Sequence, residues 1–225
     1  MAPWLATLLA MGGLAVAHAE PATAVLHRWL GAQTNVTTWK AEFVQRRDLR
    51  ALATPLETAG RVWFEAPGRF RWELGRPARS IVLRNDKEML VLSPGLRRGE
   101  RYPLASMASG PAGDMLALMD GGFPRDAVGF TNRFELMGAT ETNGLHALRM
   151  RPRSEAARRM LVEFTVMVST HDCQLKGTEL VLADGSRLRN DFVRAEANVP
   201  LPEGWLASPV DSTWKVTEPF GGARP

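Results

Sequence analysis

One cysteine, Cys173, and one tyrosine stand among 225 residues. A lone cysteine excludes an internal disulfide and any zinc site built from several thiolates. No side-chain charge occurs before Glu20, and no apolar run approaches the roughly 20 residues that a membrane-spanning helix needs. The G-x-S-x-G, H-E-x-x-H, P-loop and G-x-G-x-x-G patterns are all missing, which removes the common hydrolase, metalloprotease and nucleotide-binding signatures. Beyond residue 20 the histidines are His27, His146 and His171, none at metal-ligand spacing with another. His171-Asp172-Cys173 sets a base beside a nucleophile, but neighbours in a tight turn point apart, so the triplet reads as a solvated turn. No catalytic residue, metal or cofactor is expected.

The charge-free start, "MAPWLATLLAMGGLAVAHAE", ends in Ala17-His18-Ala19, an A-x-A cleavage pattern behind an apolar core too short to span a bilayer. A signal peptide over residues 1–19, cleaved after Ala19, follows as the expectation, although its n-region has no Lys or Arg. No cysteine stands at the cleavage site to carry a lipid, so residues 20–225 should form one exported domain. The composition is ordinary for a globular chain, with 45% hydrophobic and 23% charged residues. The net charge of +4 and pI near 9.8 would favour a nucleic-acid partner if the basic residues were clustered. They are spread among acids, and export argues further against nucleic acid.

Periodicity divides the mature chain. In "PATAVLHRWLGAQ" (21–33), Val25, Leu26, Trp29 and Leu30 recur at helical spacing, with Gly31 placed as a C-terminal cap. The period then becomes two. Trp39, Ala41 and Phe43 share one face, as do Val62 and Phe64, and then Phe70, Trp72 and Leu74. Arg61, Trp63, Glu65, Arg69, Arg71 and Glu73 leave the opposite face, so along "GRVWFEAPGRFRWEL" the charges do not line the surface on which Phe64, Phe70 and Trp72 lie. A base-stacking platform would need both on one side. Further strands are expected over 80–84, 87–92, 132–137, 145–151, 160–169, 174–183 and 186–195, separated by turn residues. About ten strands with short connections indicate one curved antiparallel sheet rather than alternating βαβ units. A broken helical segment interrupts them over residues 103–122, supplying Leu104, Met107, Met115, Leu116, Leu118 and Met119 in two short pieces. Methionines at that spacing serve either as a core plug or as a movable lid.

These segments resemble the periplasmic outer-membrane lipoprotein carrier family (LolA). The likeness lies in "WKAEFVQ" (39–45), in "GRVWFEAPGRFRWEL" (60–74) and in "LVLADGSRLRNDFVRAEANVPLP" (180–202). It implies an open antiparallel half-barrel, mainly β with some α, with a helical lid over a hydrophobic cavity. It further implies a monomeric periplasmic carrier, with lipoprotein acyl chains as cargo, an inner-membrane lipoprotein-releasing ABC complex as donor and an outer-membrane lipoprotein acceptor. On this reading Trp39, Phe43, Val62, Phe64, Phe70, Trp72 and Leu83 line the cavity. Leu104, Met107, Met115, Leu118 and Met119 form the lid, and Phe70 at the mouth is where the donor docks. The family carries a basic lid latch just before the signature proline, where this chain has Ala66, and a tyrosine where it has Leu92-Ser93-Pro94. The competing readings are a lipid- or lipoprotein-sensing module on the same half-barrel and an exported hydrolase with an acid–base pair in the cavity.

Overall fold

The computed structural model describes residues 20–107 and 123–219. The expected signal peptide, and Met115, Leu118 and Met119 of the expected lid, lie outside the described residues. The chain begins with helix α1 (Ala22–Gln33) and then runs through strands β1 (Thr38–Asp48), β2 (Leu56–Glu65), β3 (Arg69–Leu74), β4 (Ser80–Arg84), β5 (Glu88–Ser93) and β6 (Arg98–Pro103). A short 3-10 turn (Leu104–Met107) precedes the undescribed stretch. Helix α2 (Ala127–Arg133), β7 (Phe134–Thr142), β8 (Leu145–Pro152), a one-turn α3 (Glu155–Arg158), β9 (Leu161–Ser169), β10 (Leu175–Leu182), β11 (Arg187–Ala197) and β12 (Lys215–Thr217) follow.

All twelve strands belong to one sheet in the order β12-β6-β5-β4-β3-β2-β1-β11-β10-β9-β8-β7. Neighbours are antiparallel except β12, which runs parallel to β6. The ends of that order do not pair, so the sheet stays open. Yet side chains from β1, β2, β3, β5 and β7 to β11 share one buried cluster with α1. Strands so far apart in the order can meet only if the sheet curls about that face, which makes it an open half-barrel with α1 in its hollow.

The alternation drives this curl. On β1, Trp39, Ala41 and Phe43 are buried and the intervening residues are not. Register carries the pattern across the sheet, because Ala41 lies opposite Val62 and Val62 opposite Trp72. The reverse face bears the charge: Glu73, 6% exposed, takes Arg61 at 2.8 Å and Arg71 at 2.7 Å. Arg61 also sits 5.2 Å from the centre of the Trp63 ring, a cation–π contact on the wet side.

Several expectations change. Gly31 does not cap α1; the helix runs two residues further to Gln33, whose side chain is buried, and Thr34 follows in a helical conformation with its Oγ1 donating to Gly31 O. β6 and β12 carry no alternating apolar signal and join the sheet through backbone pairing at its edge. The strand expected from residue 132 begins at Phe134, because α2 occupies the preceding seven residues.

Leu83 is the main correction. Trp72 lies opposite Val82 and Arg71 opposite Leu83, so Leu83 leaves the sheet on the side away from the hollow. There Ile81, Leu83, Leu90 and Leu92 form a second cluster, covered by Leu206, Val210 and Trp214 from the C-terminal segment. The runs "SIVL" and "MLVL" are apolar on both faces, so alternation could not tell which residue faced inward.

Candidate functional site

Six of the seven residues expected to line a cavity converge in the hollow. Trp39 lies opposite Phe64, and Phe64 opposite Phe70, in one row across three strands. In the row beyond, Phe43 lies opposite Gly60. A Cβ on Gly60 would sit 2.2 Å from the Phe43 ring and 2.5 Å from Glu73 O. The missing side chain lets Phe43 lean across to Trp72, with ring centres 4.1 Å apart. Phe192 on β11 completes the set at 5.0 Å from Trp39 and 6.1 Å from Trp72. The rings meet tilted or edge-on rather than in a single stack, the arrangement aromatic quadrupoles favour. The result is a broad apolar wall with little hydrogen-bonding capacity.

Sequence reasoning missed what covers this wall. Phe123 lies nearly parallel to Phe64 at 4.5 Å and 4.9 Å from Trp39. Two residues later, Arg125 Nη1 donates to Gln33 O at 2.9 Å and to Val36 O at 2.7 Å, tying this segment to the end of α1. A basic group therefore does fasten the cover, but from Arg125 and not from the position of Ala66. Beside Ala66 opens a cleft of about 160 Å³, walled by Pro67, Phe123, Arg125, Phe130, Arg133 and Phe134. "FPRD" at 123–126 has no periodicity, so nothing in the sequence singled out Phe123 or Arg125. Of the expected lid, Leu104 and Met107 pack on the aromatic cluster, Met107 being fully buried. Phe70 is 9% exposed, one residue into β3 from the turn that holds Pro67.

The remaining chemistry sits around α1. Arg28 Nη1 pairs with Glu20 at 2.8 Å, and its Nη2 lies 3.0 Å from His146 Nε2. A guanidinium only donates, so the imidazole accepts there. Glu141 lies 3.8 Å from His146 Nδ1. The Cys173 side chain, and then Glu20, hold the exposed Arg28 guanidinium more firmly protonated than usual. Cys173 is thus buried in the core with a left-handed backbone, unlike the solvated turn expected of it, while His171 and Asp172 are exposed. Among the described residues no three His, Cys, Asp or Glu side chains form a metal-holding group, and no helix is long and apolar enough to cross a membrane.

The family model of the outer membrane lipoprotein carrier protein LolA matches residues 34–205. The outer-membrane lipoprotein carrier protein of Coxiella burnetii is 32% identical over 98 residues, which are 44% of this chain and 44% of that protein. The match thus spans less than half the length of that relative. Among solved structures, an uncharacterized conserved protein from Thermus thermophilus aligns with a TM-score of 0.50 at 14% identity, over 88% of this chain and 98% of that one. A LolA superfamily protein from Nitrosomonas europaea aligns with a TM-score of 0.43 at 11% identity, over 84% of this chain and 99% of that one. Its sequence matched from Thr34 to Trp205 and its sheet curled around an aromatic hollow, the chain belongs to the outer membrane lipoprotein carrier (LolA) family.

Proposed function

We propose that the protein is a periplasmic carrier, neither enzyme nor cofactor-bound, that shields lipoprotein acyl chains in its hollow. In this reading residues 20–225 act as one monomeric domain freed by cleavage after Ala19. It receives cargo from an inner-membrane releasing ABC complex and delivers it to an outer-membrane acceptor. The observation that carries the reading is the aromatic wall of Trp39, Phe43, Phe64, Phe70, Trp72 and Phe192, gathered on one face and closed by a segment pinned through Arg125. A sixteen-carbon chain exposed to water costs on the order of 12 kcal/mol at about 0.8 kcal/mol per methylene. Several such chains need a shield to cross an aqueous gap. The same shield must release them without ATP, which favours a wall of weak, non-directional contacts and a cover held at few points.

Phe70 marks the donor-facing side in this proposal. It follows the turn that holds Pro67, and Leu104 and Met107 lie against the same wall. The test is native mass spectrometry of protein recovered from the periplasm, followed by a reconstituted release assay with the inner-membrane complex. The expected result is a mature chain beginning at Glu20, carrying acylated cargo, with Phe70→Glu folding but failing to load. Protein that never carries acylated species and accepts none in the assay overturns the carrier reading. Cargo that binds but is never passed to the outer membrane favours the sensing module instead.

A further inference from the structure

Two polar atoms on the inner side of α1 stand out. The indole Nε1 of Trp29 and the carboxamide Oε1 of Gln33 have no hydrogen-bond partner among the described residues. Their residues are 0% and 2% exposed. Orphaned buried atoms of this kind are few in folded proteins and call for a reason. The Gln33 amide nitrogen is engaged, donating to Trp29 O at 3.4 Å, which leaves its oxygen as the unsatisfied end. Four residues apart on one helix, the two side chains lie one above the other on the same face, the face that packs into the aromatic cluster.

Their neighbours place them just behind the cleft. Trp29 meets Phe130 edge-on at 5.6 Å, and Arg125 bonds the backbone oxygen of Gln33. Phe130 and Arg125 both wall the cleft beside Pro67. The pair therefore lies directly behind residues that wall the cleft, on the helix that packs into the aromatic cluster.

We infer that Trp29 and Gln33 anchor a secondary amide bearing an acyl chain, the chemistry of an N-acylated amino terminus; this rests on the carrier reading above. An indole N–H only donates, and the free carboxamide oxygen only accepts. The missing group must offer one acceptor and one donor in a small apolar setting. An ester or carboxylate has acceptors alone and leaves Gln33 Oε1 unpaired. An ammonium has donors alone and leaves Trp29 unpaired. A secondary amide is planar and trans, with its carbonyl and N–H at opposite edges, so one such group lying between the two side chains satisfies both. The pair would thus tell cargo whose amino terminus is acylated from cargo whose amino terminus is free, while the acyl chain itself lies on the aromatic wall.

The test is calorimetric titration of the purified protein with N-dodecanoylglycine and with its ester counterpart, in which oxygen replaces the amide N–H. Chain length and terminal carboxylate are the same in both. Wild type should bind the amide about tenfold more tightly than the ester, the ratio that 1.4 kcal/mol represents. Gln33→Met keeps the volume and should erase that preference while melting no lower than wild type, since it removes an unpaired atom. Trp29→Phe should weaken both probes, because both offer the carbonyl. If wild type binds neither probe, the carrier reading falls and the anchor with it. If both probes bind wild type equally, the carrier reading stands and the anchor is wrong, a trapped water being the natural partner of the two atoms. That wild-type ratio decides the matter even if a variant fails to fold.

Discussion

The sheet buries apolar side chains on both faces at β4 and β5, and the two burials are built differently. Outside the curl, Ile81, Leu83, Leu90 and Leu92 are closed by the protein's own C-terminal segment. Arg71 Nη1 donates to Ala207 O at 2.8 Å, Arg97 Nη1 reaches Thr213 Oγ1 at 3.2 Å, and β12 adds backbone pairing to β6. Inside the curl, a wall of rings meets Phe123, on a segment whose tie to the end of α1 is the Arg125 side chain. Aliphatic side chains under a multiply fastened strap make a permanent core. Rings under a flap tied to α1, among the described residues, through Arg125 make the surface that the carrier reading requires to open. Burial alone would not have separated them, since Leu83 and Phe43 are each 1% exposed.

The sharpest way to break the contrast is to truncate each side. Leu92→Ala, at a residue with no exposure, should cost about 2–5 kcal/mol of stability as a core cavity, read by denaturant melting. Acyl-probe binding by the protein that remains folded should be unchanged. A loss of binding larger than the loss of folded protein would show that the outer cluster belongs to the site.

Gly60→Ala should cost less, about 1–3 kcal/mol by overpacking, but should damage both properties together. Its Cβ would displace the Phe43 ring from Trp72. Probe affinity should fall along with the midpoint of unfolding, and normal affinity in a folded variant would mean that this ring pair is not part of the wall.

Arg125→Ala removes two charge-assisted hydrogen bonds on an exposed side chain and should cost about 1 kcal/mol. Amide hydrogen exchange across residues 123–126 should accelerate, and a hydrophobic dye should bind the empty protein more strongly. Leu92→Ala should produce neither change in that segment, and equal exchange in both variants would remove the distinction between flap and strap.

The smallest effect is electrostatic and concerns the sheet edge beside the strap. Tyr102, hydrogen-bonded to Glu100, is pushed up to about 12, first by burial and then by that carboxylate. The neutral phenol is thus favoured in the folded protein, so its contribution is fully present below the ordinary tyrosine value of about 10. It is lost as pH rises from there through about 12. Tyr102 is the sole tyrosine, so the phenolate absorbance band reports it alone. A midpoint near 10 in the folded protein would contradict the buried setting, and Tyr102→Phe should flatten the alkaline limb of stability.

How much of this was legible in the sequence depended on whether a strand had one wet face. From Trp39 to Trp72 apolar residues alternate with Lys, Glu and Arg, and parity put Trp39, Phe43, Val62, Phe64, Phe70 and Trp72 on the face that turns into the hollow. At β4 and β5 both faces are apolar, so parity failed and Leu83 was assigned inward. Its true cover, Leu206, Val210 and Trp214, lies far along the chain in a stretch with little regular structure. Phe123 and Arg125 sit in a connection whose conformation is set by what it touches, so no local pattern could announce them. Trp29 was legible as a core residue of an amphipathic helix, but an unpaired indole N–H is a property of surroundings rather than of sequence.

The placing of β12 gives the sheet two unlike borders. On one side a strand of three residues, with Lys215 in it, overlies β6; short, charged borders of this kind resist further strand pairing. On the other, β7 extends over nine residues and pairs with β8 alone among the described strands. A sheet that adds strands at only one border cannot template its own polymerisation, because every copy joined through β7 leaves a blunted border behind it. Association by that route would stop at a pair.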